Sequence, residues 1–175
     1  MIDFENQQIL TEGLPELERV KYERLEMNFL WMSLLQNAIF LAVLFAVGLI
    51  FTLTIFFDSF LTSLVKMTGI WLVFSLLLIL LSYFGFYKKG YALRERDISY
   101  KTGLIFKSVT TIPFNRVQHC ELKKGPLEEL FNLARVRVYT AGGMSSDLSI
   151  PGLNQARAES LKQFILRKTE EDEEE

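Results

Sequence analysis

Two long stretches without a charged side chain dominate the chain, at residues 27–57 and 67–87. A helix needs about 20 apolar residues to cross a hydrocarbon core about 30 Å thick, so both stretches predict membrane-spanning helices. The first is too long and too far from the start for the apolar part of a signal peptide. Its 31 residues would extend about 46 Å as a helix, more than the hydrocarbon requires. Its polar early positions, Ser33, Gln36 and Asn37, are therefore expected at an interface or against the second helix. Pro15, followed by Glu16 and Glu18, suits a first helical turn, which predicts a helix from about residue 15 running unbroken into the first span. Trp71 is expected at the outer end of the second span. Tyr83, Phe84, Phe86 and Tyr87 are expected at its inner end, as aromatic belts.

After Gly90 the period changes from helical to alternating. Residues 91–95 and 97–102 predict a hairpin. Gly103 then turns the chain into a long strand with Phe106, Ser108, Thr110, Ile112 and Phe114 on one face. A further strand at 116–123 has Cys120 and Leu122 inward and His119 outward near Glu121; Gly125 and Pro126 stop it, and one helical turn follows. At 134–140, Val136 and Val138 are expected in the core, with Arg135, Arg137 and Tyr139 facing away. Residues 141–146 form a loop and 147–150 a last short strand. Asn154 then caps a helix whose apolar stripe is Ala158, Leu161, Phe164 and Ile165. The domain plan is thus an N-terminal segment 1–26, spans 27–57 and 67–87 joined by an external loop 58–66, a domain 88–169, and an acidic tail 170–175. The tail has nothing apolar to bury and is expected to be disordered.

Charge sharpens this picture. The net −2 conceals −4 in residues 1–26, zero in 58–66, +8 in 88–169 and −6 in 170–175. Arg19, Lys21 and Arg24 precede the first span and Lys88, Lys89, Arg94 and Arg96 follow the second, whereas the connecting loop offers only Lys66. The positive-inside rule places both termini in the cytoplasm, which predicts a multi-pass membrane protein with its domain on the cytoplasmic side.

Four segments occur in order behind the two spans: Tyr91-Ala-Leu-Arg-Glu-Arg-Asp-Ile-Ser-Tyr-Lys-Thr-Gly103, Ile112-Pro113-Phe-Asn-Arg116-Val-Gln118-His119, Lys124-Gly125-Pro-Leu-Glu128, and Val138-Tyr-Thr-Ala-Gly142-Gly143. Together they resemble the bacterial pleckstrin-homology-like membrane proteins of the YdbS type. The resemblance implies two membrane helices followed by one small α+β domain, an antiparallel sheet or barrel capped by a C-terminal helix. It implies no settled activity, and the acidic tail is not part of the pattern.

Enzyme chemistry finds little support in the residues. His119 and Cys120 are the single His and the single Cys, and adjacent strand residues point to opposite faces. They fall short of a zinc site, which takes about four ligands. Gly142-Gly143 lacks the following Gly-Lys-Ser/Thr of a phosphate loop, and Glu128-Glu129 reads as a solvated helix start. No cofactor, metal or small-molecule substrate is implied. Nucleic acid is disfavoured by the lack of a groove-reading motif or stacking platform. The expected partners are the lipid bilayer and either a second copy of the chain or another membrane protein. The expected role is a non-enzymatic, membrane-anchored interaction or scaffold module that binds itself, a sister membrane protein or a peptide strand through its cytoplasmic domain. The alternative is a sensor of anionic headgroups through Lys88, Lys89, Arg94, Arg96, Lys123, Lys124, Arg135 and Arg137, each able to contribute about 1 kcal/mol near an anionic leaflet.

Overall fold

The computed structural model describes residues 20–56, 59–141 and 147–174, with side chains in the last helix only as far as Glu171. The helix expected from residue 15 lies mostly outside these residues. Within them, residues 20–26 are not helical. Glu23 forms an isolated antiparallel bridge with Tyr91, both of its backbone groups bonding those of Tyr91 at 2.7 and 3.0 Å. Sheet pairing outcompetes local helix preference there, a tertiary override.

Helix α1 spans Met27–Ile55 and α2 spans Phe60–Tyr87. At 1.5 Å per residue each is roughly 42 Å long, more than the hydrocarbon takes. The surplus of α1 is used by the domain, because Phe29, Leu30 and Met32 are buried in its core. Helix α2 begins at Phe60, so the connection is shorter than the expected loop 58–66, and Lys66 sits within the helix. Its long aliphatic stem lets the ammonium reach back to the polar boundary. Polar contacts cross between the pair: Asn37 Nδ2 donates to Ser82 Oγ at 2.7 Å, the indole N–H of Trp71 donates to the Leu41 carbonyl at 3.1 Å, and the Thr52 hydroxyl donates to the Met67 sulfur at 3.6 Å. Trp71 also meets Phe45 edge-on at 5.2 Å. It lies about 16 Å along α2 rather than at its outer end. Burial inside the protein covers 11% of the most apolar part of α1 and none of that of α2, which excludes buried core helices of a soluble domain. Bare apolar faces of this extent are stable in lipid. The chain is a membrane protein.

The domain that follows has two three-stranded antiparallel sheets. In the first, β1 (Gly90–Leu93), β2 (Asp97–Thr102) and β3 (Ser108–Pro113) lie in chain order. The expected strand through Phe106 is shorter than the pattern suggests. Gly103, at φ +104°, turns the chain so tightly that a Cβ there would overlap the carbonyl of Phe106. Phe106 lies in the resulting tip, 88% exposed, while Phe114 is buried in a 3-10 turn, Phe114–Arg116.

The second sheet orders β4 (Val117–Lys123), β5 (Leu133–Thr140) and β6 (Leu148–Asn154), with α3 (Pro126–Leu130) between β4 and β5. An irregularity between Val117 and His119 puts both Val117 and Cys120 in the core, while Leu122 is half-buried. Val136, Val138 and Ile150 are fully buried, as their alternation requires. Helix α4 (Gln155–Glu174) starts with Asn154 Oδ1 accepting from the Arg157 N–H at 2.8 Å. It closes the core with Ala158, Leu161 and Ile165, and Phe164 packs edge-on against Phe114 at 6.0 Å. The tail expected to be disordered continues α4 to Glu174. Lys168 pairs with Glu171 one turn on, a spacing that supports helix.

Candidate functional site

The functional surfaces are set by how the domain meets the helix pair. Only Lys88 and Lys89 separate α2 from β1, and residues 20–26 run alongside β1 on their way into α1. The Glu26 N–H donates to the Gly152 carbonyl at 2.9 Å, and Asn154 Nδ2 donates to Glu26 Oε1 at 2.9 Å. Arg157 donates to Glu23 Oε2 at 2.9 Å, and the phenol of Tyr91 donates to the same carboxylate at 2.8 Å. Burial, followed by that hydrogen bond, pushes the Tyr91 phenol up. Asn28 Nδ2 reaches the Phe131 carbonyl at 3.2 Å. The domain is therefore locked to the helices from both sheets and from α4.

The candidate basic residues divide by position. Lys88 and Lys89 lie at the helix end. Burial pushes the Lys89 ammonium down, and it sits 5.1 Å from the Phe29 ring in a cavity of about 240 Å³ lined also by Ser33, Ser82 and Phe86. Lys123 ends β4, Lys124 follows it, and Arg135 lies opposite Lys123 on β5. Arg94 and Arg96 form the β1–β2 turn, at the far end of β1 and about 13 Å from Gly90 at ~3.3 Å per residue. Arg137 lies mid-sheet, half-buried, its Nε buried without a hydrogen-bond partner among the described residues.

Several of these charges are already engaged. Arg94 pairs with Asp97 at 2.7 Å and Lys123 with Glu121 at 3.3 Å, and Lys124 donates to Gln155 at 2.7 Å. Arg135 was expected to be exposed, yet it is half-buried and bonds Glu128 Oε1 through Nε and Nη2 at 3.1 and 2.8 Å. Glu128 is not a solvated helix start either. It is 7% exposed, and its other oxygen accepts the Gly125 N–H at 2.8 Å, closing the first turn of α3. No local sequence signal pairs Arg135 with Glu128; only the return of β5 beside α3 brings them together.

Among the motif residues, Ile112 is buried and Pro113 ends β3, while Arg116 and Gln118 are exposed. Gly125 precedes α3. Gly142 and Gly143, with the loop 142–146, lie outside the described residues. His119 stacks on Tyr139 with centroids 4.2 Å apart and planes 11° from parallel. The Tyr139 hydroxyl donates to Glu121 at 3.0 Å, which holds that carboxyl below its usual range.

Cys120 is buried, and burial pushes its thiol up to about 11, the opposite of an activated nucleophile. In the folded chain, maleimide labelling of Cys120 near pH 7 should be orders of magnitude slower than in denaturant. Labelling at the rate of a free thiol would place Cys120 outside the core. Among the described residues no cluster of three or more His, Cys, Asp or Glu is placed to hold a metal. A wider apolar groove of about 740 Å³ opens between the far halves of α1 and α2, lined by Phe45, Phe51, Met67 and Trp71.

Comparison with known proteins follows the same lines. The sequence pattern described as bacterial PH domain matches residues 36–169. Over 77 residues the chain is 34% identical to the transmembrane protein YdbS of Bacillus subtilis, an alignment covering 44% of this chain and 46% of that protein. The chain thus spans about half the length of this curated relative. A crystal structure of a pleckstrin-homology-domain protein from Shewanella loihica aligns with a TM-score of 0.37 and 12% identity, over 48% of this chain and 73% of that one.

Proposed function

Since this chain belongs to the bacterial PH domain family, we propose that it works as a membrane-anchored interaction module, docking a second copy of itself or another membrane protein on the outer edge of β3. The domain is non-catalytic. The observation that carries the reading is an open strand edge held in one orientation. Among the described residues β3 pairs only with β2, so its outer backbone groups are free to add a strand. The opposite edge of that sheet is covered by Glu23. Two spans and a rigid junction keep the β3 edge at constant height above the bilayer, where a partner in the same membrane meets it at high effective concentration. We place both termini and the domain in the cytoplasm, on the distribution of Lys and Arg beside the spans.

The headgroup-sensor reading is weaker. Arg94, Lys123 and Arg135 already face carboxylates, so a phosphate would have to displace them. Of the eight candidate cations, Lys88 and Lys89 are the pair at the helix end that faces no carboxylate among the described residues.

Tagged full-length protein extracted with its lipids from native membranes tests the proposal. We expect a defined homo-oligomer or a stoichiometric co-purifying membrane protein. Val109→Lys should abolish it, because a charge on an edge strand blocks strand addition while leaving an exposed position folded. A monomer with no partner, whose domain binds anionic but not zwitterionic bilayers in a salt-sensitive way, would replace this reading with headgroup sensing.

A further inference from the structure

We propose that the β2–β3 tip, residues 103–107, is a membrane-dipping element that inserts Ile105 and Phe106 into the leaflet facing the domain. These are among the most exposed large apolar side chains of the domain, at 73% and 88%. Such residues on a soluble surface usually mark something that covers them.

The strand register indicates what covers this pair. Gly90, directly after the end of α2, is opposite Lys101, and β2 runs antiparallel to β1. The chain therefore returns along β2 toward the membrane end of the domain, and Gly103 extends about 7 Å past the level of Gly90 at ~3.3 Å per residue. That level is the polar boundary of α2, marked by Lys88 and Lys89. Lys101 stands over the Tyr22 ring at 5.5 Å, beside the segment that leads into α1. On this register the tip reaches past the end of α2, to the depth where headgroups give way to acyl chains.

Its shape is suited to insertion. The left-handed turn at Gly103 folds the loop back on the Phe106 carbonyl and leaves the Ile105 and Phe106 side chains projecting. Lys101 and Lys107 flank them, with cationic groups where anionic headgroups lie. An apolar tip between basic residues is the pattern of a segment lodged at the interface. Insertion would give the domain a third membrane contact beyond its two helices and so set its tilt. This inference is independent of what docks on the β3 edge.

The test uses full-length chain carrying Cys120→Ala, reconstituted in phosphatidylcholine–phosphatidylglycerol nanodiscs. A nitroxide is attached at Ile105→Cys, or at Asn115→Cys at the opposite end of the domain as the aqueous reference. Collisions with oxygen report acyl-chain depth, and collisions with a water-soluble nickel chelate report aqueous exposure. At position 105 oxygen should be favoured over nickel several-fold relative to position 115. Adding Phe106→Asp should move the ratio toward the aqueous value without shifting the thermal midpoint, since Phe106 contributes nothing to the core. Nickel access at 105 equal to that at 115 would overturn the proposal. So would shielding from both reagents, which would mean that a second copy or another protein covers the tip.

Discussion

Gly152→Ala is expected to unseat the domain from the helix pair. Gly152 lies in β6 with φ +68°, and a Cβ there would come within 2.6–2.8 Å of the Phe29 side chain. The left-handed backbone costs an alanine about 1–2 kcal/mol. Forcing a methyl group into the packed contact costs about 1–3 kcal/mol more. The strain falls where Glu26 bonds the Gly152 carbonyl, so the junction should yield before the sheets do. Proteolysis of folded, reconstituted protein should cut residues 20–26 far faster in the variant. In a Phe29→Ala background the same substitution should cost only its backbone share, about 1–2 kcal/mol. A cost unchanged by Phe29→Ala would show that the close approach of β6 to α1 is not what demands glycine.

Val138→Asp should unfold the domain while leaving the two spans helical. Val138 is fully buried, opposite the buried Cys120 on β4 and the buried Leu148 on β6. Burying an unpaired carboxylate forces it to protonate or to bring in water, and either costs several kcal/mol. That is a large part of the ~5–15 kcal/mol that holds a typical domain. The strand signal of circular dichroism should collapse, and Cys120 should become reactive. Gln118→Asp adds the same charge on the exposed irregularity of β4 and should leave both readouts near wild type. Equal loss from the two substitutions would mean that the β5 register is wrong.

The two spans, the inward valines of β5 and the stripe on α4 were legible because each is a periodic pattern that one face must bury. The family resemblance was legible from four short segments in order. Other features rested on pairings between residues far apart in the chain, which no local pattern encodes. Residues 20–26 favoured helix on local preference, and the bridge to Tyr91 made them extended. Glu128 looked solvated until β5 brought Arg135 beside it, which also removed Arg135 from the set of free cations. Phe106 alternated correctly with Ile112, but the turn at Gly103 took it out of the strand and left it bare. The sequence by itself determined that two apolar membrane helices precede a small α+β domain, because burial of apolar surface is the largest force acting and its pattern is written locally. Which charges remain free, and which apolar tip faces the bilayer, only the tertiary structure decided, because both depend on register and close approach between elements distant in sequence.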